Sequence, residues 1–520
     1  MLSHLRLSRP VLFSTIKAPV TWPQARARTI ATTPSAQHQQ QQQQKRAGDI
    51  SDAFVSLSGQ TFAPLDPRYA DLKRRLLSTT TKAILQASWN RLLTHLREET
   101  ALISAAGSSI VPTIPFTALS SPSSSFLEAH KQRGVAIIKN VVPTTTALQW
   151  KQDLKSYIAA NPHTKAFPAH DPQVYELYWA PSQMAARTHP NVLAAQRFLM
   201  SFWHASPDAA VSMQHPTSYA DRLRIRQRGD AAFALGPHVD GGSVERWEEE
   251  GYGRGGVYDA VFRGEWEGLD MWDAAGRLPV VSDMYQGVGA CSMFRMAQGW
   301  LSLSSVGPGE GTLLVNPLFK AATAYYLLRP FFEARSAVEV VGREAFLDKA
   351  NWRCEERVSS WMQGATPGHG MELSEVLHPH LRLEETMVHI PRVEPGDYVA
   401  WHCDTIHAVD KVHQGKGDSS VLYIPACPLT EENARYLARQ RAAFVDGTPG
   451  PDFGGGEGES RHIGKPSVED VAEMTSREGD AEGDGLKAFG LKEWDSTADG
   501  LSRGEREVMD RANSVLGFYA

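Results

Sequence analysis

Between Tyr219 and Pro428 the chain is cut by Gly, Pro and Asp turns into short apolar runs, each too brief for a helix and each of strand length. The clearest runs are Leu223 to Gln227, Trp300 to Ser304, Thr312 to Asn316, Asp397 to Cys403 and Ser420 to Pro425. Many short strands at this spacing are the pattern of an all-β barrel or jelly roll. No Gly-rich loop leads from a strand into a helix in the dinucleotide or P-loop pattern, so no nucleotide cradle is expected.

The flanks read differently. Leu72, Leu76, Ile84, Leu85, Trp89, Leu92, Leu93 and Leu96 recur at helical spacing, which predicts two or three helices over residues 66–106. A surface loop is expected from Ser120 to Ser125, a buried strand from Gly134 to Val142, and a helix carrying Trp150, Leu154, Tyr157 and Ile158. A further helix is expected at 429–445, then a long mobile loop from Gly447 to Gly485 and a last helix near Glu505 to Leu516. The expected class is therefore α+β, a cupin-like jelly-roll barrel with helices at both ends. The expected divisions are a leader and Gln-rich junction (1–50), a helical region (51–130), the barrel (131–445) and a mobile loop with a helical extension (446–520).

Composition excludes several function classes. With 42% hydrophobic and 22% charged residues, the chain of 520 residues has the make-up of an ordinary folded protein. The formal charge of -6 offers no global positive field, so nucleic acid is not an expected partner. Cys291, Cys354, Cys403 and Cys427 form no C-x-x-C pair, which argues against a zinc ribbon or a disulfide-stapled secreted domain. No apolar run is long enough to span a bilayer. Arg6, Arg9, Lys17, Arg26 and Arg28 precede the first acidic residue, Asp49, and are interleaved with Leu and Ser. That pattern predicts a removable presequence for the mitochondrial matrix, the alternative being a basic tail on a cytoplasmic protein.

Two groups of residues carry chemistry. In Gly236-Pro-His238-Val-Asp240-Gly-Gly-Ser243, strand alternation places an imidazole and a carboxylate on one side. In Pro395-Gly-Asp-Tyr-Val-Ala-Trp-His402-Cys-Asp-Thr-Ile-His407, a strand follows a Pro-Gly-Asp turn and delivers a second histidine. Two histidines and one carboxylate leave open positions on iron(II), so His238, Asp240 and His407 are the candidate metal and catalytic set. His402, the rival distal ligand, is read with Asp404 as support behind a metal-bound imidazole.

These segments resemble the iron(II)/2-oxoglutarate oxygenase superfamily, and Trp401-His402 through Ile406-His407 is similar to phytanoyl-CoA hydroxylase-like members. Asp221-Arg-Leu-Arg-Ile-Arg-Gln-Arg-Gly-Asp230, His238-Val-Asp-Gly-Gly-Ser-Val-Glu-Arg-Trp247, Phe294-Arg-Met-Ala-Gln-Gly-Trp300 and Gly396 to His407 more closely resemble a YbiU-like family of that superfamily, over residues 60–450. The resemblance implies a double-stranded β-helix, iron(II) and 2-oxoglutarate as cofactors, and hydroxylation of a small-molecule substrate with release of succinate and CO2. It also implies that the intact Asp240 disfavours halogenation.

Many superfamily members carry a basic residue just after the distal histidine, but Asp418-Ser-Ser-Val-Leu-Tyr-Ile424 has none. Arg295 and Gln298 are the expected partners of the far carboxylate of 2-oxoglutarate, with Arg226 and Ser420 as further cofactor contacts. Arg222, Arg224, Arg226 and Arg228 share one strand face, read either as a solvated edge or as cations at the barrel mouth. In the second reading Arg224, with Arg246 and Trp247, contacts an acidic substrate. The aromatic insert from Trp247 to Tyr285 is expected to pack or to form a lid. Two other classes fit the same residues: a cupin-type metalloenzyme that does not use 2-oxoglutarate, and a non-catalytic binding protein on the same barrel.

Overall fold

The computed structural model describes residue 45 and residues 53–58, 61–231, 234–480 and 482–519. The presequence and the glutamine run expected before Lys45 lie outside the described residues. Lys45 itself, although within the stretch read as leader, is packed against the body of the protein: its ammonium pairs with Asp283 at 2.6 Å and Asp452 at 3.5 Å.

The helical spacing after residue 66 becomes Arg68–Leu76 and the long helix Lys82–Ala106. Thr81 starts the long helix by accepting the Ile84 N–H on its hydroxyl at 3.2 Å. Its buried stripe, from Leu85 through Trp89, Leu92, Leu96 and Ile103, faces the rest of the protein. Trp89 lies flat on Phe332, ring centroids 4.2 Å apart, and stacks on Tyr325 at 5.2 Å. The Ser/Pro stretch is a turn whose Ser123 caps the helix Ser124–Arg133. That helix ends at Gly134, where φ is +65° and an added Cβ would lie 2.6 Å from the Phe319 ring, so both conformation and space demand glycine.

An eight-stranded sheet runs in the order Thr113–Pro115, Val135–Lys139, Tyr398–His402, Ala297–Ser302, Ser419–Tyr423, Leu223–Arg226, Val174–Tyr175, Ala166–Phe167. All its pairings are antiparallel except the first. Strand alternation sorts its central residues. Trp300, Val399, Trp401 and Val421 enter one core cluster, while Leu301, Tyr398, Ala400 and Leu422 enter another with the helices Thr144–Ala160 and Pro190–Met200. Covering on both faces accounts for the continuous apolar runs of Val135–Lys139 and Tyr398–His402.

A five-stranded sheet has the order Met371–Glu372, His238–Val239, His407–Val409, Leu313–Val315, Val388–His389. None of the sheets closes into a barrel, so the observed fold is a mixed α+β arrangement of several sheets rather than the closed barrel that strand spacing suggested.

The C-terminal segment corrects another expectation. Residues 447–485 are held down rather than loose: Asp452, Phe453 and Glu459 are buried, and the segment contains the helix Val468–Arg477. Glu459 accepts the main-chain N–H groups of Tyr178 and Trp179 at 2.6 and 2.9 Å, stitching the segment to the core. The last helix is Arg503–Val515. No helix among the described residues is long and apolar enough to cross a membrane.

Candidate metal centre

His238 and His407 sit opposite one another on adjacent antiparallel strands of the smaller sheet. Asp240 follows two residues after His238, where Gly241 and Gly242 turn the chain with φ of +77° and +92°. A Cβ on Gly242 would lie 2.9 Å from the Ser282 carbonyl, so this turn requires glycine twice over.

Each imidazole gives its Nδ1 side to the backbone: His238 to the Gly236 carbonyl at 2.8 Å, His407 to the Thr405 carbonyl at 3.1 Å. This fixes the tautomer that leaves Nε2 as a lone-pair donor. The two Nε2 atoms face Asp240, His238 Nε2 at 3.8 Å from Oδ1 and His407 Nε2 at 3.5 Å from Oδ2. All three donors lie within 4.8 Å of one another. A divalent ion bonded at about 2.1 Å to three donors on one octahedral face needs them roughly 3 Å apart, so the two histidine–carboxylate distances must shorten by about half to one ångström, a movement within reach of side-chain rotation. The donor set therefore fits a divalent transition metal.

The electrostatics agree. Burial, with the His407 imidazole beside it, pushes His238 down to about 4 and keeps it neutral, the form that binds metal. Burial works to raise the Asp240 carboxyl, but His238, His407 and Arg295 outweigh it and hold the group well below the usual carboxylate range.

The triad lines a cavity of about 200 Å³ between the two sheets. Trp300, Trp401, Val421 and Leu313 give it apolar walls, and Arg224, Arg295 and Gln298 are its polar contacts from the larger sheet and the loop before it. Arg295 lies 5.5 Å over the Tyr219 ring, and among the described residues no carboxylate comes within ion-pair distance of it. Gln298 is buried and its Nε2 has no hydrogen-bond partner among the described residues. Phe54 closes the cavity from the N-terminal side, its ring edge-to-face with His238 at 5.0 Å.

A family model, Gig2-like, matches residues 63–491. This chain belongs to the Gig2-like family. The YbiU protein of Escherichia coli K12 is 34% identical over 357 residues, covering 66% of this chain and 78% of YbiU. The crystal structure of GlcNAc Inducible Gene 2 from Candida albicans superposes with a TM-score of 0.76 at 31% identity, covering 88% of this chain and 96% of that one. The Escherichia coli protein JW0805 at high pH gives a TM-score of 0.68 at 30% identity, covering 83% and 98%.

In the Gig2-like chain the structure separates the remaining sequence candidates. Arg295, Gln298 and Arg224 reach the cavity. Arg226 does not: its fully buried guanidinium is consumed by Asp230 at 2.7 Å and by the Asp410 and Lys411 carbonyls. Ser420 points to the opposite face of its strand and bonds Asp418 at 2.7 Å; its neighbours Ser419 and Val421 line the cavity instead. Arg222 packs over Phe453 and Arg228 is exposed, so the four arginines share no common solvated edge.

Arg246 and Trp247, expected at the substrate, are buried away from the cavity. Trp247 donates its indole N–H to the Leu327 carbonyl, and Arg246 bonds Asp404 and the Asp240 carbonyl. His402 is no support for His407: its Nε2 meets the Met271 carbonyl and its Nδ1 accepts the Asp404 N–H. His402, Cys403 and Asp404 are close enough to form a second metal-ligating group, but those contacts, with Arg246 and Arg277 on Asp404, occupy the histidine and the carboxylate. Sequence reasoning missed Phe54, Arg277 and the two backbone carbonyls behind the histidines. None of these has a signal in the order of side chains.

Proposed function

We propose that this Gig2-like protein is an iron(II)- and 2-oxoglutarate-dependent oxygenase acting on a small molecule. In this reading the eight- and five-stranded sheets are the two faces of a double-stranded β-helix with the metal between them. The observation that carries the reading is the placement of His238, Asp240 and His407 together on the wall of a cavity that the cation Arg295 and the unsatisfied donor Gln298 also line.

His238, Asp240 and His407 would hold iron(II) on one face, leaving the other face open to the cavity. Iron(II), with 2-oxoglutarate decarboxylated to succinate and CO2 as electron source, supplies activation of dioxygen and oxidation of a C–H bond. The protein's own residues bind and orient. Arg295 offers a planar fork to a carboxylate, and Gln298 adds an amide donor whose own hydrogen bonding is otherwise incomplete. Trp300, Trp401, Val421 and Phe54 line the cavity with apolar surface, which would exclude water from the neighbourhood of the metal and strengthen these polar contacts once a ligand fills it. Arg224, on the wall facing the metal, is the candidate contact for an acidic group on the substrate.

Anaerobic titration of the protein with iron(II) and 2-oxoglutarate tests the reading. A weak visible charge-transfer band, absent from Asp240→Ala, supports it; no iron binding at all refutes it. One observation favours a second reading, an iron enzyme that does not use 2-oxoglutarate: the cavity-facing residues of the strand after His407 are Ser419, Val421 and Tyr423, none of them basic. Iron binding without the band selects that reading. The basic leader is proposed to direct the chain to the mitochondrial matrix, with the cytoplasm as alternative; a fluorescent fusion to residues 1–50 that stays cytoplasmic excludes import.

A further inference from the structure

We propose that Arg246 is a positioning residue for the metal centre, holding the backbone that carries Asp240 to the turn that leads into His407. The inference rests on the metal-centre reading and extends it to a residue that touches neither metal nor cavity.

The Arg246 side chain is wholly buried; both terminal nitrogens are hydrogen-bonded, as a guanidinium withdrawn from water requires, while its Nε has no partner among the described residues. Its two terminal arms go to two different segments. Nη2 donates to the Asp240 carbonyl at 2.8 Å, with the Gly241 carbonyl at 3.4 Å. Nη1 donates to Asp404 Oδ1 at 2.7 Å and to the Tyr258 hydroxyl at 2.5 Å. The rings of Tyr252, Tyr258 and Tyr326 surround the cation at 5.1, 6.0 and 5.7 Å. The Tyr252 hydroxyl donates to the same Gly241 carbonyl, so the turn after Asp240 is gripped twice.

Asp404 lies three residues before His407, and the intervening Thr405 carbonyl is the acceptor that orients the His407 ring. One planar fork therefore spans the chain behind the carboxylate ligand and the chain behind the distal histidine. Arg277 supplies an internal control. It pairs with Asp404 Oδ2 at 2.5 Å and is also buried, but among the described residues its hydrogen bonds reach Cys403 and Asp404, not the Asp240 turn. Asp404 is thus shared by two cations, of which only Arg246 joins it to a ligand-bearing turn. A lysine at 246 keeps the charge but, as a compact ammonium, cannot extend two parallel arms to both segments.

The test compares Arg246→Lys with Arg277→Lys, using iron(II) alone under anaerobic conditions for affinity and cobalt(II) absorption for coordination geometry. Supporting contacts behind metal ligands typically carry about 10- to 100-fold in affinity. Arg246→Lys is expected to weaken iron(II) binding by at least about tenfold and to alter the cobalt(II) spectrum, while Arg277→Lys, with a similar loss of apo-protein melting temperature, leaves both near wild type. Wild-type affinity and spectrum in Arg246→Lys, or an equal loss in Arg277→Lys, overturns the proposal, because a merely structural role predicts no difference between the two. If Arg246→Lys does not fold, Tyr258→Phe and Asp404→Asn remove the Nη1 contacts one at a time. Wild-type iron(II) affinity in both overturns it as well. Failure of the wild-type protein to bind either metal refutes the underlying metal-centre reading itself, an outcome distinct from binding that is indifferent to Arg246.

Discussion

His238 and His407 are direct cross-strand partners, their ring centroids 4.1 Å apart, although 169 residues separate them in the chain. Side chains opposed in an antiparallel pair project to the same face, so the register of two short strands sets the bite of the site. Replacing Asp240 by Asn is expected to lower iron(II) affinity by more than about 100-fold, beyond the usual effect of a supporting contact. Competition with a colorimetric chelator measures it. Retention of wild-type affinity would remove Asp240 from the site.

Arg295 and Gln298 lead to a split between metal and cosubstrate. Arg295→Ala is expected to leave iron(II) affinity near wild type while weakening 2-oxoglutarate by about 100-fold, the ~3 kcal/mol of a strong charge-assisted contact. Equal loss of both ligands in calorimetric titration would contradict this.

Gln298→Leu should move stability and affinity in opposite directions. Removing a buried donor that lacks a partner is expected to stabilise the apo-protein by about 1 kcal/mol, yet to cost several-fold in 2-oxoglutarate binding. Urea unfolding of the apo-protein checks the first part, and a variant less stable than wild type would sink it.

Glu459 makes stability depend on pH. Burial pushes its carboxyl up to about 7 against the opposing hydrogen bonds from Tyr178, Trp179 and Tyr157. An unfolded glutamate releases its proton near 4.3, so between roughly pH 4.5 and 7 the folded state binds more protons and stability falls as pH rises, by up to about 3 kcal/mol. Glu459→Gln abolishes this slope. Its advantage over wild type should be small at pH 5 and large at pH 8 in matched urea unfolding curves; a constant difference would contradict the assignment.

Phe54 covers the metal face from a short N-terminal segment that Ala53 attaches through its carbonyl to the Gly370 N–H. Phe54→Ala is expected to speed iron(II) release to an external chelator by about tenfold with little change in global melting, since such a segment can open locally. Stopped-flow chelation that shows no change would mean that the cavity is reached by another route.

The legibility of this chain follows from its physics. Strands at Leu223, Ala297, Tyr398 and Ser419 could be found because they are short segments with β-favouring residues bounded by Gly, Pro and Asp turns, and almost all their residues are buried. The same property hid which face meets the cavity. Ser420 and Arg226 sit on buried strands where burial alone cannot tell the two sides apart, and neighbours from distant segments, Asp418 and Asp230 among them, decided their contacts. His238 and Asp240 were legible because two residues of spacing and a Gly-Gly turn fix them locally, whereas His407 joins them through the register of a distant strand that only a second strand-and-turn motif announced. Arg246 could not be placed, since a guanidinium deep in a core is indistinguishable in sequence from one at a mouth.

Lys45 gives the end of the expected leader a structural meaning. Its ammonium joins Asp283, on the cavity wall, to Asp452 in the C-terminal segment, and also donates to the Gly287 carbonyl at 3.1 Å. Cutting the chain before Lys45 and cutting it just after would therefore yield two unlike proteins. The first keeps a cationic rivet through the cavity roof. The second leaves Asp283 and Asp452 buried without the cation they share, a loss expected to destabilise this corner of the fold.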